Sequence, residues 1–164
     1  MPSVNLRHSV RAIVLDDENR VLLCRHAIPQ SAGGAVWATA GGQIEPGETP
    51  LAALRRELHE EVGLVLRTDP PHVWHQEVVG PGYAAGHDGV INDYFLVRTA
   101  KFTPRGSLSD EQLAAENIRG LKWWYLQEVA SYAGVDLFSP RDLATPLTAL
   151  ITSRLPARPV RLGL

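Results

Sequence analysis

One cysteine in 164 residues excludes an internal disulfide, so packing and hydrogen bonds must hold the chain, and a reducing cytoplasmic setting is expected. That residue, Cys24, sits in the apolar run VLLC and reads as a buried structural thiol. Long hydrophobic runs are also missing. No window approaches a membrane span, and residues 1–9 (MPSVNLRHS) hold no apolar signal core, so no membrane partner is expected. Charge of one sign is not in excess: 16 Lys and Arg against 18 Asp and Glu give −2, too little field to capture DNA or RNA broadly. A small phosphorylated ligand, handled by a few local cations, stays compatible with that balance. GGAVW at residues 33–37 lacks a following Gly-Lys-Ser/Thr, which removes the P-loop reading. There is no internal repeat and no low-complexity tract.

What is present is ordinary globular composition, 45% hydrophobic and 21% charged, enough for one domain over residues 1–164. The tail, residues 156–164 (PARPVRLGL), is expected to be mobile or to lie at a subunit interface. Residues 9–15 and 20–26 read as strands joined by the polar turn DDEN, hence a hairpin. Residues 28–35 read as a flexible loop and 36–39 as a short strand. Residues 72–79, 90–99 and 120–125 read as further strands, and a helix is expected to begin at residue 126. Ser139-Pro140 is expected to cap a last helix reaching Leu155, with Leu143, Leu147, Leu150 and Ile151 as its apolar stripe.

The informative stretch is residues 42–64, GQIEPGETPLAALRRELHEEVGL. Residues 42–47 read as a loop. Thr49 is then an N-cap, Pro50 suits the first helical position, and Gly63 suits a left-handed C-terminal residue. At 100° per residue Leu51, Leu54, Leu58 and Val62 share one arc, while Glu57, Glu60 and Glu61 share the next. Like charges at i, i+3 and i+4 repel by a few tenths of a kcal/mol per pair, which a divalent cation would relieve. Oxygen ligands without cysteine or histidine favour Mg²⁺ or Mn²⁺ over zinc.

Nine fixed positions over 23 residues, Gly42, Glu48, Arg56-Glu57-Leu58, Glu60-Glu61 and Gly63-Leu64, make this stretch similar to the signature of the Nudix (MutT-like) hydrolases. The resemblance implies an α/β fold, the Nudix αβα sandwich with a mixed sheet. It implies a divalent-metal-dependent pyrophosphohydrolase acting on a nucleoside diphosphate linked to another moiety, with a noncatalytic nucleotide sensor as the alternative that an intact signature disfavours. By the same resemblance Arg56 pairs with Glu48, Glu60 or Glu61 activates water, and a homodimer is reasonable. Metal ligands are then Glu57, Glu60, Glu61 and the carbonyl of Gly42, with Glu116 as a candidate from a late loop. Where many members carry proline before the paired glycines, this chain has Ala40.

Substrate contacts are sought outside the signature. Arg25, at a strand end, is a candidate phosphate contact, and Trp37 and Tyr83 are candidates for the pocket wall. The loop at residues 80–89 also offers His87 and Asp88 as groups able to approach a metal. His72 and His75, three apart on a strand, point to opposite faces and are expected to be structural unless a bulge intervenes. Of Trp123 and Trp124, one ring is expected in the core.

Overall fold

The computed structural model describes residues 3–28 and 34–164, so the loop expected over residues 28–35 falls mostly outside the described residues. The chain builds one mixed sheet from β1 (Leu6–Leu15), β2 (Val21–Ala27), β3 (Ala35–Gln43), β4 (His72–Val79), β5 (Gly89–Arg98), β6 (Ile118–Trp124), β7 (Leu137–Ser139) and β8 (Val160–Leu162). Four helices join them: α1 (Pro50–Glu61), α2 (Asp110–Ala115), α3 (Leu126–Ala130) and α4 (Ala144–Thr152). The strand order is β6-β2-β3-β1-β5-β4-β8, with β7 added to β3.

β1 lies at the centre, antiparallel to β3 and parallel to β5 over its whole length. Its expected hairpin with β2 is reduced to one pair, Leu15↔Val21, because β2 turns away to pair with β3 and β6. The turn itself forms: Asn19 takes φ +58°, and Asp16, 2% exposed, accepts from the amides of Glu18 and Arg20.

Strand alternation gives the sheet two apolar faces. One face carries Val10, Ala12, Val14, Leu22 and Cys24 and packs against Leu54, Leu58 and Val62 of α1, with Leu113 of α2. The other carries Ile13, Leu23, Trp74, Tyr94 and Trp124 and packs against Val129 of α3 and Leu143, Leu147 and Leu150 by α4. The result is the expected αβα sandwich around a mixed sheet. Cys24 is buried, and burial raises its thiol pKa. The tryptophan pair divides as expected: Trp124 enters the core, while Trp123 stacks edge-on against Phe102 and donates its indole N–H to the Phe102 carbonyl.

Three local expectations need correction. Residues 42–43 belong to β3, since Gly42 pairs with Val10 and Gln43 with Ser9; the signature therefore opens in a strand, and its loop starts at Ile44. Ser139 does not cap a helix. It ends β7 beside Ala38, and α4 begins only at Ala144, after Asp142 has accepted from the hydroxyl and amide of Thr145. The tail expected to be mobile or at a subunit interface forms β8, parallel to Trp74, His75 and Gln76, and the Gly163 carbonyl accepts from the Gln76 side chain. No helix among the described residues is long and apolar enough to cross a membrane.

Candidate active site

Helix α1 positions the carboxylates, and its ends are fixed as the sequence requires. The Thr49 hydroxyl accepts from the Ala52 amide at 3.2 Å, Pro50 occupies the first turn, and Gly63 takes φ +76° beyond the C-cap Val62. Leu54, Leu58 and Val62 then bury completely, which rolls Glu57 and Glu61 inward and leaves Glu60 partly exposed.

Arg56 ties this helix to the loop before it. Its Nε and Nη2 reach the two oxygens of Glu48 at 2.8 and 2.9 Å, a bidentate pair, and Nη2 also reaches the Gln43 carbonyl at 3.0 Å. Nη1 donates to Glu57 Oε1 at 2.9 Å and lies 3.6 Å from Glu60. The Arg56 guanidinium accordingly holds Glu48 down at about 2, and Glu48 in turn raises Arg56. Gly42 comes close because it has no side chain: a Cβ there would stand 2.5 Å from Glu57 Oε1.

Glu57 and Glu61 are carboxyls in an awkward place. Burial pushes Glu61 up to about 8, with the charge of Glu57 adding to it and the Gly41 amide, 2.9 Å away, opposing. Burial also raises Glu57, against the pull of Arg56. Both sense Glu116, the C-cap of the short helix α2.

These groups open into one polar cleft of about 730 Å³. Gly42 from β3, Glu57, Glu60 and Glu61 from α1, and Glu116 from the end of α2 all line it, so the structure brings together every proposed metal ligand from three separate elements. Arg7, Arg11 and His26 line it as well. Burial lowers Arg7, with Arg11 beside it, and the Arg7 Nε has no hydrogen-bond partner among the described residues. His26 is pushed down to about 4, first by burial and then by Arg11. The Arg11 guanidinium is aimed by the Thr39 carbonyl at 3.2 Å.

The expected substrate contacts lie elsewhere. Arg25 is paired with Asp136, which also accepts from the Trp37 indole at 3.0 Å; Trp37 is a core residue, 9% exposed. Tyr83 is exposed in the turn after β4, and neither it nor Arg25, Trp37, His87 or Asp88 lines the cleft. Besides Arg56, the arginines that line the cleft are Arg7 and Arg11, at i and i+4 on β1 and therefore on one side of the strand. Their signal in the sequence was two arginines at i and i+4 in one strand, LRHSVRAIVL. His72 and His75 also differ from expectation. A register shift between His72 and Trp74 turns both imidazoles to Asp93, so the two side chains share a face.

A helix-sheet-helix sandwich with a capped, carboxylate-bearing helix set against a glycine strand defines a Nudix pyrophosphohydrolase. The chain belongs to that family: residues 5–141 match the NUDIX domain. It is 30% identical to the nucleoside triphosphatase NudI of Escherichia fergusonii over 121 residues, 73% of this chain and 82% of that protein. NudI of Escherichia coli is 33% identical over 86 residues, 51% of this chain and 61% of that one. Among solved structures it is similar to the E. coli ORF135 protein (TM-score 0.66, 24% identity, 96% of this chain and 100% of that one). It is also similar to the NUDIX domain of Shewanella oneidensis NrtR complexed with ADP ribose (TM-score 0.58, 16% identity, 79% and 78% of the two chains).

Proposed function

We propose that the protein hydrolyses a phosphoric anhydride bond of a nucleoside diphosphate bearing a further group, and that nucleoside triphosphates are its first substrate class. The observation that carries this is a single cleft lined by Glu57, Glu60, Glu61 and Glu116 together with Arg7 and Arg11. The name of the NudI relatives supports the triphosphate, and the ADP-ribose complex of the NrtR domain supports a nucleotide diphosphate core.

The donor set suits hard divalent cations. Four carboxylates and the Gly42 carbonyl are all oxygen, and the glycine leaves room beside Glu57 that a side chain would fill. Mg²⁺ or Mn²⁺ held there would withdraw charge from the phosphate oxygens and lower the pKa of a bound water. The remaining work belongs to the chain. Arg7 and Arg11, on β1, bind the phosphate oxygens in the same cleft. Arg56, locked on Glu48, fixes the rotamer of Glu57, and the Gly41 amide fixes Glu61. Glu60, more exposed than Glu57 and Glu61 and without a short side-chain hydrogen bond among the described residues, would take the proton from water, with Glu61 as its alternative.

The test is phosphate and pyrophosphate release from a panel of nucleoside triphosphates, nucleotide sugars, ADP-ribose and dinucleotides, in Mg²⁺ and Mn²⁺ separately. Glu60→Gln and Glu61→Gln should each lower kcat by at least about 100-fold, the usual scale for a lost acid–base group. Wild-type turnover in both variants would sink the assignment, and nucleotide binding without any turnover would make the protein a sensor.

A further inference from the structure

Strand β4 begins with an irregularity that builds a second cluster away from the acidic cleft. Regular alternation would set His72 and His75 on opposite faces, but the shift between His72 and Trp74 changes the phase by one residue. Both rings then meet Asp93 of β5. His75 Nδ1 lies 2.6 Å and His72 Nε2 2.9 Å from the same oxygen, Asp93 Oδ1. One donor atom from each of the three residues lies within 4.8 Å of the others.

An outer set supports this inner one. The second oxygen of Asp93 is 2.6 Å from His8 Nε2 on β1, and the far nitrogen of His75 is 3.5 Å from Glu77 Oε2. The side chains of His72, His75 and Asp93 are 34%, 24% and 14% exposed, so the cluster is open to an incoming ion from one side and backed by the sheet on the other. None of them lines the acidic cleft.

We infer that His72 Nε2, His75 Nδ1 and Asp93 Oδ1 bind one transition-metal ion of the zinc class, with the fourth position left to water. Two imidazoles and one carboxylate match the borderline-soft ions, Zn²⁺, Co²⁺ or Ni²⁺, and leave Mg²⁺ to the all-oxygen cleft. Bonds of about 2.0–2.1 Å around a tetrahedral ion set donors about 3.3 Å apart. The present contacts therefore open by about half an ångström when the ion displaces the shared protons, and His72 gives up its 3.0 Å contact with the Trp74 carbonyl. His8 on Asp93 and Glu77 on His75 then hold the ligands in line from behind, as carboxylates and imidazoles commonly do around zinc. Asp93 is in register with Val10, and Val10 with Gly42, so two strand spacings, about 10 Å of sheet, separate this site from the catalytic strand.

The measurement is a Zn²⁺ titration by calorimetry of chelator-stripped protein kept in excess Mg²⁺, with the visible spectrum of Co²⁺ as a reporter of geometry. Uptake of one equivalent is expected, weakened by more than about 100-fold in His72→Gln and His75→Gln, by about 10–100-fold in His8→Gln, and unchanged in Glu60→Gln. No uptake by Mg²⁺-saturated wild type overturns the inference, as does uptake lost in Glu60→Gln yet kept in both histidine variants. The wild-type cobalt spectrum decides even where a variant fails to fold: intense four-coordinate absorption supports the site, and weak six-coordinate absorption overturns it.

Discussion

The Glu61 carboxyl is 2% exposed and sits beside a second buried carboxyl, Glu57. Its folded pKa of about 8 stands above the ordinary 4.5, so between those values the native state keeps a proton that the unfolded state has lost. Glu61 therefore contributes stability to the metal-free protein that is lost as pH rises from about 4.5 to about 8, while His26, held down at about 4, acts in the opposite direction up to about pH 6.5. Glu57, raised for the same reason as Glu61, acts in the direction of Glu61. Unfolding by urea in a chelating buffer should show wild type losing stability relative to Glu61→Gln, by on the order of a few kcal/mol across that window, with the His26 contribution common to both proteins. Equal pH slopes in the two proteins would show that Glu61 is not the buried acid. Arg7 and Arg11, in contrast, were not legible as site residues. Their role depends on the carboxylates of the cleft, which only the tertiary fold brings within reach.

At the scale of elements, the strand–loop–helix unit of β3 and α1 is a fitted pair. Since a Cβ on Gly42 would strike Glu57, Gly42→Ala must displace that carboxylate from the Arg56 contact. Turnover at saturating Mg²⁺ is expected to fall by at least about tenfold while the unfolding midpoint changes little, because the collision is with a side chain at the cleft and not with the core. A large loss of stability with unchanged turnover would contradict this. The unit was readable in advance because its determinants are local: Thr49, Pro50 and Gly63 mark the ends, and a 3.6-residue period separates leucines from glutamates. The bulge in β4 was not readable, since the residues around it, HVWHQEVV, alternate like a regular strand and the phase shift is imposed by pairing with Tyr94 and Phe95. The β7 segment was missed for a similar reason. Three residues carry no period, and their strand exists only because β3 offers an edge.

For the whole molecule, the last strand works as a strap. β8 covers the outer edge of β4, supplies a carbonyl to the buried Gln76 side chain and sets Leu162 against the core. Removing residues 156–164 leaves the Gln76 amide without that acceptor and uncovers β4. The expected loss is about 2 kcal/mol, or roughly 5 °C in Tm, together with concentration-dependent association through the bared edge. Turnover should persist, because no residue of that segment lines the cleft. An unchanged melting curve would show that the strap contributes nothing. The tail read as mobile or interfacial because composition cannot announce a strand whose partner lies some eighty residues earlier.

The central place of β1 also governs when the molecule can assemble during synthesis. Its flank against β3 can close once residue 43 is available, but its parallel flank waits for β5, residues 89–98, and the acidic wall waits still longer for Glu116. Until then the most buried strand of the finished protein is half bare, and the signature helix rests on an unfinished floor. Nascent chains halted before residue 89 should thus be protease-sensitive along β1, and catalytic competence should appear late and all at once as the chain lengthens.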